Sequence, residues 1–320
     1  MLRGILIYLS QATWARKLVT RWKLTWQVAS RFVAGETPEA AIEVIKILNL
    51  KGICATLDHL GENITNENEA TRATDEILHI LDEIELTGVL AGVSIKLSQI
   101  GLLLGENICE HNLRRIMLRA KKHNNFVRID MEDSSVTDVT LRLMRAMRQD
   151  GFAEHTGIVI QSYLFRSKED IYELMGEGAS VRICKGAYKE PPEVAYPKKS
   201  DVDKNFDNIS KIMLDKVKAD EPFAKSGCSR FPPLPAIASH DDARIQYAIK
   251  YAEEIGLPKT ALEFQMLYGI RRDMQDALAS DGYPVRVYVP YGTEWYPYFV
   301  RRLAERPANL WFFISNLLRG

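Results

Sequence analysis

The sequence predicts an α/β chain folded as a (βα)8 barrel. Eight short apolar runs recur along it, each of strand length: GICATL, AGVSI, FVRI, GIVI, SVRIC, PAIA, ALEF and VRV. A parallel strand covered on both faces must be almost wholly apolar, and these are. Segments of helical periodicity separate the runs, and eight strand–helix repeats favour closure into a barrel over an open sheet. Most runs end on a charged or polar residue: Asp58 and Glu62, Lys96, Asp130, Gln161, Arg182 and Lys185, Ser239 and His240, Gln265, and Tyr288. Side chains at successive strand ends converge on one rim, which in such a barrel is the catalytic face. The pattern is that of an enzyme.

The elements follow in order. A helix is expected over 37–49, with Thr37 as N-cap and Pro38 at the first position. The next, over 66–86, is long and amphipathic, its Ile77, Ile80, Leu81 and Ile84 spaced three to four residues apart. Further helices are expected over 107–123, 134–151, 168–176, 203–218, 241–256, 270–281 and 294–306. One connection breaks the rhythm. From 188 to 235 the chain far exceeds the usual roughly two to six residues of a βα loop, and a long insertion at the catalytic end suits a lid. No internal repeat or low-complexity tract interrupts the chain.

Composition sets the broad class. Of 320 residues, 46% are hydrophobic and 26% charged, as in ordinary soluble globular proteins. A single α/β barrel commonly takes about 250 residues, so the division expected is an arm over 1–34 and a barrel over 35–320. Net charge is zero, which gives no electrostatic case for a nucleic-acid partner. The cysteines Cys54, Cys109, Cys184 and Cys228 show no CxxC or zinc spacing, and two sit in apolar strand patterns. No disulfide and no metal are expected, and a reducing cytoplasm is the default. Residues 1–35 carry Arg3, Arg16, Lys17, Arg21, Lys23 and Arg31 with Trp14, Trp22 and Trp26, and no acid before Glu36. Such an arm suits either an anionic membrane surface or a helix docked on the barrel. The apolar WFFI cluster near the C-terminal end poses the same choice.

Three constellations carry chemistry. Tyr298, Arg301, Arg302 and Glu305 fall at i, i+3, i+4 and i+7, so they share one helix face. Two guanidiniums on that stripe, joined by strand-end Lys96, would clamp a carboxylate or phosphate. The same spacing also fits a surface helix stitched by Arg–Glu305 pairs. VRICKGAY places Arg182 and Lys185 at a strand end before Gly186, where backbone can approach a ligand closely. A buried arginine needs an anion, and Asp130 or a ligand would serve. Tyr288 closes the last strand, as a packed aromatic or a specificity element. The adjacent Asp58 and His59 read as a supporting contact rather than a ligand set. No GxGxxG follows a strand, and there is no P-loop or HExxH pattern.

LDHLGE, SIKLSQIGL, VRIDMEDS, VIQSYLFRS, VRICKGAYKEP, IASHD, EFQMLYG and VYVPYGTEWYPYFVRRLAERPAN together resemble monofunctional bacterial proline dehydrogenases. The same motifs mark the proline dehydrogenase domain of bifunctional proline-utilisation flavoproteins. The likeness runs in order over about residues 50–310. It implies a distorted (βα)8 TIM-type barrel with FAD held noncovalently at its C-terminal face. It further implies oxidation of L-proline to Δ1-pyrroline-5-carboxylate by hydride transfer from C5 to flavin N5, with electrons passed to a membrane quinone. By the resemblance, Lys96, Arg301 and Arg302 hold the proline carboxylate, Asp130 is an active-site aspartate and Arg182 lies near N5. Met131, Gln161, Lys185, Gly186, Ala187, Ser239, His240 and Glu305 match positions that contact FAD. Tyr288 matches the tyrosine that crowds the ring carbon of hydroxyproline, so L-proline is the preferred substrate. Tyr188, Leu267 and Tyr298 match pocket walls, and Glu62 a gate that pairs with Arg301. Departures are small: Cys184 replaces an aliphatic residue and His59 a leucine.

Two other functions fit parts of the pattern. A lysine-dependent barrel lyase would use Lys96 or Lys185 as a Schiff base, without flavin. A membrane-docking module on an inert barrel would use the arm and tail, but leaves the strand-end charges without a role. Within the dehydrogenase reading the arm brings a cytoplasmic protein to the inner face of the membrane, where its quinone lies.

Overall fold

The computed structural model describes residues 23–61, 64–220, 228–232 and 235–305. Eight parallel strands close into a barrel in sequence order: β1 Cys54–His59, β2 Ala91–Ile95, β3 Val127–Ile129, β4 Thr156–Gln161, β5 Ser180–Cys184, β6 Ala236–Ala238, β7 Glu263–Leu267 and β8 Val285–Tyr291. The seam pairs β1 with β8 along their lengths, from Cys54 opposite Arg286 to His59 opposite Tyr291. Around the strands lie α1 Lys23–Ala29, α2 Pro38–Leu50, α3 Glu67–Thr87, α4 Glu106–Lys122, α5 Thr137–Met147, α6 Ser167–Gly176, α7 Lys199–Ala219, α8 Asp242–Glu254, α9 Arg272–Ser280 and α10 Trp295–Glu305. The (βα)8 reading of the sequence stands. The span 134–151, read as one helix, is a short 3-10 turn, α5, and a π turn at Arg148–Phe152.

Local chemistry sets the helix ends. The Thr37 hydroxyl accepts from the Ala40 N–H, and Pro38 takes the first turn, where no N–H partner is needed. Asn66 caps α3 by accepting from the Glu69 N–H at 3.0 Å, and Gly88 ends it with φ of 69°, a conformation cheap only for glycine. The buried faces of these helices pack on Leu57, Val93, Ile95, Ile129, Ile160 and Ile183, the outward side chains of the strands. Cross-helix ion pairs then stitch the outer ring, with Arg115 on Asp75 at 2.6 Å and Arg145 on Glu173 at 2.8 Å. Being exposed, each is worth about 0–1 kcal/mol.

The barrel interior is polar from floor to rim. At the floor Arg286 and Glu263 form an ion pair at 3.0 Å, both almost fully buried. The remaining Arg286 donors reach the carbonyls of Ala55, at 2.8 Å, and Ser229, at 2.9 Å. Arg128, also buried, gives its guanidinium to the Ile158 carbonyl at 3.1 Å and the Ser180 hydroxyl at 3.0 Å. Burial pushes its pKa well down, with the nearby Arg182 charge adding to the effect.

The long 188–235 connection is not a single lid. Helix α7 is the ordinary helix after β5, and residues 228–232 cross the floor of the barrel. There the Arg230 guanidinium donates to the His123 carbonyl at 3.1 Å, while Phe231 packs on Phe126 and His155. Cys54, the first residue of β1, is bonded to Cys228 in a disulfide with Cα atoms 5.2 Å apart. This corrects the expectation of no disulfide. The partners are 174 residues apart without a spacing motif, and only the crossing of the floor brings them together.

At the other end of the chain, Val28, Ala29, Phe32 and Val33 pack against Trp295, Phe299, Val300 and Leu303 of α10. The Trp295 indole N–H donates to Glu36 at 2.9 Å, and the Trp26 and Trp295 rings lie 5.4 Å apart. Most of the 1–34 arm and the apolar C-terminal tail lie outside the described residues. Among the described residues no helix is long and apolar enough to cross a membrane.

Arg286→Met strands Glu263 as a buried charge, and should lower unfolding free energy by about 3–5 kcal/mol in urea titration. The double Met variant at both positions should lose far less than the two single losses combined. A second check counts thiols. Unfolded without reductant, the protein should react at Cys109 and Cys184 only, and after reduction at all four cysteines. In the folded state Cys184 should react slowly, its thiol pushed up to about 12 by burial.

Candidate active site

Strand alternation directs one set of side chains into the barrel, and near the C-terminal rim these meet. Arg182 on β5 is buried and pairs through Nη2 with Asp130, which follows β3 directly. The same Nη2 donates to the Ser94 hydroxyl at 3.1 Å, and Ser94 donates to Asp130 at 2.7 Å. Nη1 donates to the Gln265 side-chain carbonyl at 3.2 Å. The Tyr288 hydroxyl donates to the other Asp130 oxygen at 2.9 Å, and the guanidinium carbon of Arg182 lies 5.3 Å from the Tyr288 ring centroid. Lys96 sits beside Asp58 at 3.2 Å, the Tyr288 oxygen at 3.4 Å and Asp130 at 3.8 Å. Groups from six strands or strand ends thus converge within hydrogen-bonding reach.

The cluster is charge-compensated, which a buried site requires. Two cations, Lys96 and Arg182, face two carboxylates, Asp58 and Asp130. Burial, then the Asp130 and Asp58 charges, push the Tyr288 phenol well above its ordinary range. Tyr288 therefore stays protonated at any working pH and keeps its hydrogen on Asp130.

A second tier fixes the loops around this centre. The Gln161 amide donates to the Glu132 carbonyl at 2.8 Å and accepts from the Ala187 N–H at 3.0 Å, tying the loops after β3 and β5 together beside buried Met131. Lys185 bridges Asp203 and Asp241 at 2.5 and 2.6 Å. Burial raises the Asp241 carboxyl, but the Lys185 hydrogen bond and charge outweigh it and hold it below the ordinary range. The Ser239 hydroxyl accepts from the Asp241 N–H at 3.1 Å, and His240 Nε2 accepts from the Leu267 N–H at 2.9 Å. Gly186 has φ of 125°, and a Cβ there would lie 2.5 Å from the Tyr163 ring. Its close approach is to that ring.

The remaining predicted residues divide. Tyr298 is buried in the α10 cluster, with the Arg302 guanidinium 5.1 Å from its ring centroid. Arg301 is its neighbour on α10 and partly exposed. Leu267 packs against the α10 cluster, and Tyr188 is partly buried against the main core. Glu62 and the side chain of Glu305 lie outside the described residues. Asp58 and His59 do not act as a pair. Alternation sends Asp58 inward to Lys96, while the His59 ring packs at a tilt against Tyr291, their centroids 5.3 Å apart.

Sequence reasoning left Asp58, Ser94 and Gln265 without a role at the centre. Period-two counting held the signal: Ser94 stands two before Lys96, and Gln265 two after Glu263. Among the described residues no group of His, Cys, Asp and Glu has the arrangement to hold a metal ion.

The family model described as proline dehydrogenase matches residues 41–314. Proline dehydrogenase of Deinococcus radiodurans is 41% identical over 298 residues, covering 92% of this chain and 91% of the relative. Proline dehydrogenase 1 of Bacillus subtilis is 40% identical over 322 residues, covering 100% of both. Among solved structures, proline utilization A from Bdellovibrio bacteriovorus, inactivated by N-propargylglycine, superposes with a TM-score of 0.78 at 28% identity. The match covers 88% of this chain and 33% of that one. This chain thus spans about a third of that protein's length. A charge-compensated rim on a closed barrel, with full-length relatives at this identity, has one reading: the chain belongs to the proline dehydrogenase family.

Proposed function

We propose that the barrel oxidises L-proline to Δ1-pyrroline-5-carboxylate with FAD bound at its C-terminal face, the electrons leaving to a quinone. The observation that carries the reading is the rim cluster in which Arg182, Asp130, Tyr288 and Lys96 are locked together. The donor set fits a flavin: a rigid guanidinium, the Gln161 amide and the Lys185 ammonium stand on neighbouring strand ends. In this reading Met131, Gln161, Lys185, Gly186, Ala187, Ser239, His240 and Glu305 hold it. A bound flavin supplies acceptance of the hydride from proline C5 at N5, and the later two-electron transfer to the quinone.

The chain's own residues do the rest. Lys96, Arg301 and Arg302 bind the proline carboxylate and fix the small ring at its far end, as a reactive distance of about 3–3.5 Å demands. Asp130 aligns Arg182, whose positive charge faces the place where negative charge develops. Tyr288, held by its hydrogen bond to Asp130, would crowd the ring carbon that carries the hydroxyl in hydroxyproline, so that L-proline is preferred. Tyr188, Leu267 and Tyr298 wall the pocket, and Glu62 gates it through Arg301. The basic, tryptophan-bearing arm over 1–34 carries the protein to the membrane that holds the quinone.

A lysine-dependent lyase is the lesser reading. Lys96 lies between Asp58 and Asp130 and Lys185 between Asp203 and Asp241, whereas a Schiff-base lysine needs an apolar setting that frees its amine.

Two measurements test the proposal. The purified protein should show a flavin absorption band that bleaches on anaerobic addition of L-proline. A colourless protein that FAD cannot reconstitute would sink it. Arg301→Ala or Arg302→Ala should weaken proline binding about 10- to 100-fold, the scale of one charge-assisted hydrogen bond, with flavin affinity nearly unchanged. Equal loss of both affinities would contradict the carboxylate clamp.

A further inference from the structure

We propose that Gln265 is a positioning residue for Arg182, presenting a fixed carbonyl oxygen that sets the plane of the guanidinium at the rim. The inference rests on the flavin-dependent reading above. Its basis is a column of hydrogen bonds rising through the barrel. At the floor Arg286 is anchored by two backbone carbonyls and holds the Glu263 carboxylate through Nε at 3.0 and 3.2 Å. The Gln265 amide Nε2 donates to that carboxylate at 2.5 Å. Its Oε1 accepts from Arg182 Nη1 at 3.2 Å, and Arg182 Nη2 goes on to Asp130 and Ser94.

The orientation of an amide is ordinarily an open question, since its oxygen and nitrogen are nearly the same size. Here the neighbours decide it. An ionised carboxylate only accepts and a guanidinium only donates. With Glu263 on one side and Arg182 on the other, the nitrogen must face down and the oxygen up. Flipping the amide would set oxygen against oxygen and nitrogen against nitrogen, in a site where Glu263, Gln265 and Arg182 are all buried. The carbonyl facing Arg182 is therefore as fixed as a backbone acceptor. The guanidinium is gripped at both ends, by Asp130 and Ser94 through one nitrogen and by Gln265 through the other. Asp130 alone would leave it free to pivot about a single nitrogen.

The test uses the flavin-loaded holoenzyme. For wild type, Gln265→Leu and Gln265→Glu, three quantities are measured: the flavin bleaching rate at saturating L-proline, the proline dissociation constant, and the flavin midpoint potential. Gln265→Leu should slow bleaching about tenfold, the scale of one hydrogen bond to a charged group, and leave proline affinity within about twofold. Its potential should move to more negative values as the cation loosens. Gln265→Glu is the informative partner. Protonated, its carboxyl donates to Glu263 and accepts from Arg182, as the amide does. Ionised, it sets a second negative charge beside both. Rate and potential should match wild type at the acid end of the range and fall progressively below the wild-type values as pH rises.

A merely structural role would lower proline affinity and thermal stability together, without a new pH dependence. Wild-type rate and potential in Gln265→Leu, or a wild-type pH profile in Gln265→Glu, would overturn the proposal. A wild-type flavin that proline fails to bleach would overturn the proline reading instead, and the potential of Gln265→Leu would then decide the role of Gln265 by itself.

Discussion

The structure depends on the burial of one guanidinium. Arg182 stands in the barrel where a hydrophobic side chain would pack without further provision. A charge taken out of water costs several kcal/mol unless it is paired and fully hydrogen-bonded. That requirement propagates: Asp130 must follow β3 at the same height, Ser94 must occupy β2, and Gln265 must face in from β7. Asp130 in turn fixes the Tyr288 hydroxyl, and Lys96 completes the set against Asp58. Few of these positions can change alone, because each residue is the partner that makes another tolerable.

The polar interior also holds the site's side chains against one another. Hydrogen bonds in a low-dielectric setting are strong when complete and costly when broken. The floor pair of Glu263 and Arg286, the middle tier of Gln265 and Arg182, and the rim tier of Asp130, Tyr288 and Lys96 are joined end to end. Outside this column the fold is conventional: aliphatic outward faces of the strands, amphipathic helices, and an exposed ring of ion pairs.

Much of this was legible in the sequence, for physical reasons that differ by element. The strands showed because burial on two faces forces apolar runs, and the long helix after β1 because Ile77, Ile80, Leu81 and Ile84 repeat at helical spacing. The rim showed because charge at the end of an apolar strand needs a purpose, and the pairing of Arg182 with an anion followed from the cost of burying it. Other features were hidden because they depend on non-local packing. Nothing near Cys54 or Cys228 marks them as partners. The amide of Gln265 resembles any polar strand end until Glu263 and Arg182 are placed on either side. Gly186 signals a close approach, but not that Tyr163 is what approaches.

The segment over 28–33 and the helix α10 carry a consequence in time. Their shared cluster joins some of the first described residues to some of the last, and the seam of the barrel joins β1 to β8. During synthesis the chain emerges from its beginning, so Phe32 and its neighbours leave the ribosome long before Trp295 and Phe299 exist. For most of that interval the early segment has an apolar face and no native surface to lay it on. Neither the rim nor the seam can be completed until about nine-tenths of the chain is made. A barrel of this kind therefore finishes late and all at once, and its nascent chain has to be kept from aggregating while it waits.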